Sequence, residues 1–226
     1  MCPLELPGRG TWRDAAPMQD MHVLVKAMAD DLAPVFSSGR CALLGHSLGA
    51  LVCAFLADEL TRRDIAVTHV YLSAIALDQG WRDRGWSALD DPALCELLAL
   101  SEVTPTEILS NVEFMSRAMP TIRADLALAE QSRFDAALDM SVTVMSGARD
   151  EVAPPSLVDE WRRVCRGPFR HFEYPDGHHF LRLRLGEILA LAADDLVAPP
   201  PGRADGMPTE GPRAALASAD GEAMSG

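Results

Sequence analysis

The stretch that most constrains this chain is Gly45-His46-Ser47-Leu48-Gly49, because of what flanks it. Cys41-Ala42-Leu43-Leu44 is a short apolar run that reads as a buried strand, and Ala50 to Leu60 reads as a helix. A strand that passes into a helix through G-x-S-x-G places its serine in a sharp, strained turn with the hydroxyl exposed. The same turn brings strand and helix so close that a side chain at either flanking position should clash. That is the expected reason for glycine at both 45 and 49. The run from Cys41 to Ala57 is largely apolar, but the turn inside it makes it a buried strand and helix rather than a membrane span.

The rest of the chain is read around this element. Its 226 residues suffice for one domain with a real core, and 48% apolar content argues against global disorder. The net charge of −13 disfavours nucleic acid and anionic membrane surfaces as partners. The five cysteines form no C-x-x-C pair, and Cys41 and Cys53 fall in apolar runs, which suits a reducing, cytoplasmic setting. No N-terminal stretch combines positive charge with an apolar core, so no signal peptide is expected.

Periodicity predicts a helix over 18–36, with Met21, Val25, Met28, Leu32 and Val35 on one face and Pro34 ending or distorting its last turn. Strand 41–46, helix 48–63 and strand 67–74 make a βαβ unit, so these strands should be parallel. From 76 to 137 the chain turns helical and acidic. Asp90-Asp91-Pro92 and Thr104-Pro105-Thr106-Glu107 look like helix starts. This segment reads as a helical lid insertion, or equally as a plain helical subdomain. Strand 141–146, a helix near 156–165, strand 169–174 and a last helix over 180–196 follow. The expected organisation is an α/β domain over 1–197 and a disordered, Pro/Gly/Ala-rich tail over 198–226.

A serine hydroxyl is a weak nucleophile and needs a base, with an acid behind it. In an open parallel sheet such groups gather beyond the C-terminal ends of the strands, in the chain order Ser, acid, His. Asp150, after strand 141–146, is the preferred acid, and Asp176 is its main rival. His178, after strand 169–174 in Pro175-Asp176-Gly177-His178-His179, is the preferred base, and His179 is the alternative one position away. Gly177 is expected to provide the tight turn there. Leu48 N–H, directly after the serine, is the expected donor to an oxyanion. No histidine has H-E-x-x-H spacing, so no metal is expected; no cofactor is expected either.

Several ordered segments then resemble the type II thioesterases, stand-alone α/β-hydrolases encoded beside nonribosomal peptide and polyketide synthases. Leu6-Pro7-Gly8-Arg9 resembles the family's L-P-G-R, with Arg13 after it. Gly45 to Ala50 resembles G-H-S-[ML]-G-A, and Met119 to Asp125 resembles L-P-x-L-R-A-D. Gly147 to Asp150 with Val152, Pro155 and Trp161 resembles G-x-x-D-x-x-V and its downstream Trp. Pro175 to Leu181 resembles P-G-G-H-F-F-L, which aligns His178 with the family's catalytic histidine.

The resemblance implies an α/β-hydrolase fold with a mainly parallel sheet and a lid at 76–137. It also implies a Ser47–His178–Asp150 triad that removes stalled or wrong acyl groups from the phosphopantetheine arm of a carrier protein. The partners implied are acyl or peptidyl carrier proteins, with no nucleic acid and no membrane, and a monomer is expected. Arg117, Arg123 and Arg133 are candidates to meet an acidic carrier face, although a solvated helix face is the commoner role for any one arginine. The family's N-terminal strand and P-H-A-G-G-type loop, with its second oxyanion donor, have no counterpart here. A start codon placed too far downstream is the favoured explanation, ahead of a decayed or repurposed member. The sheet's N-terminal strands are accordingly expected to be largely missing. Two other readings remain: a non-catalytic protein that binds a carrier or synthase, and a general esterase of small free esters.

Overall fold

Strands and helices alternate along this chain, and the strands stack in the order in which they occur. In the computed structural model, residues 2–36, 41–77, 84–100 and 106–197 are described, and the expected tail over 198–226 lies outside them. β1 (Cys41–His46), β2 (Val67–Ser73), β3 (Ser141–Gly147) and β4 (Phe169–Tyr174) form one sheet ordered β1-β2-β3-β4, parallel throughout. The expected strands are all present, with ends shifted by one residue in β2 and β3. Central β2 is buried along almost its whole length, as a strand covered on both faces must be. β1 pairs only with β2 among the described residues and is an edge of this sheet.

One face of the sheet carries α1 (Met21–Phe36) and α2 (Leu48–Arg62). Asp20 starts α1 by accepting the backbone N–H groups of His22 and Val23 at 2.9 and 3.0 Å, satisfying donors that a helix start leaves unpaired. The helix therefore begins three residues later than periodicity suggested. Its buried face is Met21, Leu24, Val25, Ala29 and Leu32, while Val35 points outward. Pro34 is accommodated inside the last turn. Together with α2 and strand residues such as Val70, Leu72, Val142 and Val144, this face forms the main core, which also takes in Phe134 and Trp161. The Trp161 indole N–H donates to the Ile75 carbonyl at 2.9 Å.

The other face is covered by α7 (Phe180–Val197), which buries Phe180 and Ile188 against Tyr71, Met145 and Tyr174. A polar network that sequence reading missed also ties α7 to the sheet. Asp195 accepts from the Tyr71 hydroxyl at 2.6 Å and from Arg170, and Arg170 and His69 both bond the Thr143 hydroxyl. His69 lies flat on Tyr71, with ring centroids 4.1 Å apart.

The helix expected near 156–165 is only α6 (Pro155–Val158), followed by a 3-10 turn over Asp159–Arg163. The expected insertion contains α3 (Asp91–Leu100), α4 (Thr106–Leu109) and α5 (Val112–Gln131); residues 78–83 and 101–105 of it lie outside the described residues. Asp90 caps α3 through the Ala93 N–H at 2.9 Å. Leu94, Met115 and Met119 give these helices a small core of their own. Two segments singled out by resemblance grip each other here. Arg9 makes a bidentate pair with Asp125 at 2.8 and 2.6 Å, and Thr121 donates to the Gly8 carbonyl at 3.3 Å. No helix among the described residues is long and apolar enough to cross a membrane.

Two predictions follow from this packing. A Cβ on Gly45 would lie 2.1 Å from the Gly49 carbonyl oxygen, whereas one on Gly49 meets nothing within 4 Å. In urea unfolding, Gly45→Ala should therefore cost about 3 kcal/mol or more, and Gly49→Ala no more than about 1 kcal/mol.

The second concerns acid. Burial lowers His69 from 6.5 to about 4, with Asp195 opposing and Arg170 reinforcing the shift. The fold keeps His69 neutral where the unfolded chain protonates it. Its contribution is intact above pH 6.5, falls as pH drops towards 4, and levels off below. His69→Gln should flatten the dependence of stability on pH across that window by up to about 1.4 kcal/mol per pH unit.

Candidate functional site

The turn after β1 is built on a backbone that L-residues rarely adopt. Ser47 has φ 54° and ψ −125°, a conformation costing about 1–3 kcal/mol that persists only where its surroundings enforce it. Two contacts enforce it: the Ser47 N–H donates to the Ser73 carbonyl at 2.7 Å, and Gly45 lets the first turn of α2 lie directly against β1. The expectation that both flanking glycines relieve a clash holds for Gly45 only. Gly49 sits in the first turn of α2 and faces no described neighbour.

Two loops bring the other groups to Ser47. The His178 Nε2 lies 3.1 Å from Ser47 Oγ, and its Nδ1 lies 2.8 Å from Asp150 Oδ2. Asp150 is 3% exposed, and its other oxygen accepts the Val152 and Ala153 N–H groups, both at 2.9 Å. Every acceptor of this buried carboxylate therefore has a partner, the condition under which a charge is tolerated inside a protein. The Leu48 N–H lies in the first turn of α2, where no intrahelical carbonyl is available to it.

The rivals are placed elsewhere. Asp176 accepts from Arg184 at 3.0 Å, and its carbonyl takes the Arg149 N–H at 3.1 Å. The His179 ring packs against those of His46 and His178. Gly177, expected to make the turn, has an ordinary φ, and a Cβ there would meet only the Arg149 carbonyl, at 3.7 Å. The glycine that the convergence requires is Gly147. A Cβ on it would lie 2.5 and 2.6 Å from the carbonyls of Asp176 and Gly177, so it alone lets the two loops close on each other. The signal was its position ahead of Asp150 in the G-x-x-D segment.

Of the arginines considered for a carrier surface, Arg123 is engaged internally, donating to the carbonyls of Ser87 and Leu89 and to Asp91. Arg117 pairs with Glu113 at 2.7 Å on the outside of α5. Arg133 lines a cavity of about 180 Å³ between the start of α1 and the end of α5, which touches none of Ser47, Asp150 and His178.

A second chain of the same composition runs through the sheet. Ser146 Oγ lies 2.8 Å from His171 Nε2, and His171 Nδ1 lies 3.3 Å from Asp159. Ser146 is completely buried within β3, so this chain ties β3, β4 and the 3-10 turn together and offers no hydroxyl to a reactant. Among the described residues, only Ser47 combines a positive-φ turn, a base in reach and the N–H of a helix start.

A strand–turn–helix serine at the edge of a parallel sheet, with Asp and His on later strand ends, defines the α/β-hydrolase class. The Thioesterase domain profile matches residues 1–195, and the chain belongs to the thioesterase family. It is 32% identical to thioesterase PikA5 of Streptomyces venezuelae over 198 residues, covering 86% of this chain and 70% of that protein. Among solved structures it resembles RedJ, the thioesterase of the prodiginine biosynthetic pathway in Streptomyces coelicolor. The TM-score is 0.76 at 31% identity, over 84% of this chain and 74% of RedJ. It also resembles BorB, the type II thioesterase of the borrelidin biosynthetic cluster, with a TM-score of 0.71 at 27% identity over 85% and 79% of the two chains.

Exposure to a fluorophosphonate, which esterifies activated serines, should label wild type and Ser146→Ala at Ser47. Ser47→Ala should remain unlabelled in intact-mass spectra.

Proposed function

We propose that this protein is a type II thioesterase that hydrolyses acyl groups from the phosphopantetheine arm of carrier proteins, with Ser47, His178 and Asp150 as its catalytic triad. The observation that carries the reading is the continuous Ser47–His178–Asp150 hydrogen-bond chain at the strained turn. That RedJ comes from the prodiginine biosynthetic pathway and BorB from the borrelidin biosynthetic cluster supports the choice of substrate.

In the first half-reaction Ser47 Oγ attacks the thioester carbonyl while His178 Nε2 accepts the hydroxyl proton. The oxyanion forms against the Leu48 N–H. Collapse expels the sulfur, which takes the proton from His178 and leaves as the phosphopantetheine thiol. In the second half-reaction His178 takes a proton from water, the hydroxide attacks the acyl-Ser47 ester, and the serine oxygen recovers its proton as the carboxylic acid departs. Asp150, held by two backbone N–H groups, fixes the His178 tautomer and stabilises the imidazolium formed in each half. Helices α3 to α5, with their separate core, form the lid that shapes the acyl pocket. Five free cysteines suit a reducing cytoplasm.

Release of acid from an acyl-carrier thioester should fall by about 10³-fold or more in Ser47→Ala, and by a similar factor in Asp150→Asn. Wild type no faster than Ser47→Ala would overturn the catalytic reading in favour of a protein that only binds. A strong preference for simple esters over carrier-bound thioesters would overturn the substrate assignment.

A further inference from the structure

We propose that His46, anchored by Ser73, is a positioning residue that braces the His178 ring in line with Ser47. The inference rests on the reading of Ser47, His178 and Asp150 as the catalytic groups.

His46 and Ser73 are register partners across the β1–β2 pair, and His46 Nδ1 lies 2.9 Å from Ser73 Oγ. Ser73 is fully buried and serves the site twice. Its carbonyl holds the Ser47 N–H, and its hydroxyl holds the His46 ring. That ring faces the turn into α7, with centroids 5.3 Å from His178, 5.9 Å from His179 and 5.9 Å from Phe180, the last edge-on at 83°. Contacts at Nδ1 with Asp150 and at Nε2 with Ser47 hold two edges of the His178 ring, but they leave the ring free to tilt about the line that joins them. A second ring packed against it removes that freedom, and alignment of this kind is worth large factors in rate.

Electrostatics fit the same role. The titratable groups facing His46 are His178 and His179 from the turn before α7 and Asp150 from the loop after β3. Burial, reinforced by both histidines and opposed by Asp150, lowers His46 to about 3. The brace is therefore uncharged at neutral pH and does not repel the positive charge that His178 acquires when it takes the serine proton.

The test uses the full chain and an acyl-N-acetylcysteamine thioester, after turnover absent in Ser47→Ala has established the site. Failure at that first step counts against the catalytic reading, whereas later failures count against the brace. His46→Ala should lower kcat about 10-fold while KM stays within about twofold, since alignment and not binding is lost. His46→Phe, which restores a ring but no partner for Ser73, should recover most of that loss. Ser73→Ala should lower kcat in wild type and change nothing in the His46→Phe background, because the two residues act through one link. A kcat within about twofold of wild type in folded His46→Ala, or Ser73→Ala costing the same factor in both backgrounds, would overturn the brace. If His46→Ala does not fold, the His46→Phe and Ser73→Ala pair decides by the same criterion.

Discussion

The site depends on the absence of a side chain at Gly45. That absence lets the backbone of the first turn of α2 lie against β1, closer than any Cβ would permit. From this contact follow the left-handed backbone of Ser47, its bond to the Ser73 carbonyl, and the start of α2 at Leu48, directly after the serine. The strain is held by the surrounding packing: β1, β2 and α2 share the main core, so relaxing the turn would pull apart residues such as Leu43, Ala54 and Leu72.

Gly147 plays the matching part on the other side of the site. Parallel strands deliver Asp150 and His178 from different loops, and those loops meet only because the end of β3 carries no side chain where the Asp176 and Gly177 carbonyls pass. The two chains of Ser, His and Asp show how little composition alone decides. Ser146, His171 and Asp159 are joined by a similar chain of contacts, but its serine sits inside the sheet, where a regular strand buries the hydroxyl. Geometry at the strand end, and not the identity of the three residues, separates the proposed nucleophile Ser47 from the buried Ser146.

Much of this was legible in the sequence because local patterns carried it. The four strands, the βαβ unit, the turn at Ser47 and the chain order Asp150 then His178 all rest on short-range spacing. Long-range pairings were hidden. Nothing near Asp195 announces that it will meet Tyr71 and Arg170, and nothing near His46 announces Ser73. Arg123 looked like a surface charge, yet it holds the carbonyls of Ser87 and Leu89 because α5 folds back over that loop. The glycine assignments erred for the same reason: whether Gly49, Gly147 or Gly177 is required depends on which backbone passes it.

A catalytic Ser47 must become acylated by a thioester. The most direct measurement is rapid-quench mass spectrometry of the protein mixed with an acyl-carrier thioester, followed by peptide mapping. The expected result is an acyl ester on Ser47 that forms and decays at the rate of turnover. Turnover with no acyl ester on Ser47, or an acyl group carried on a different residue, would contradict it.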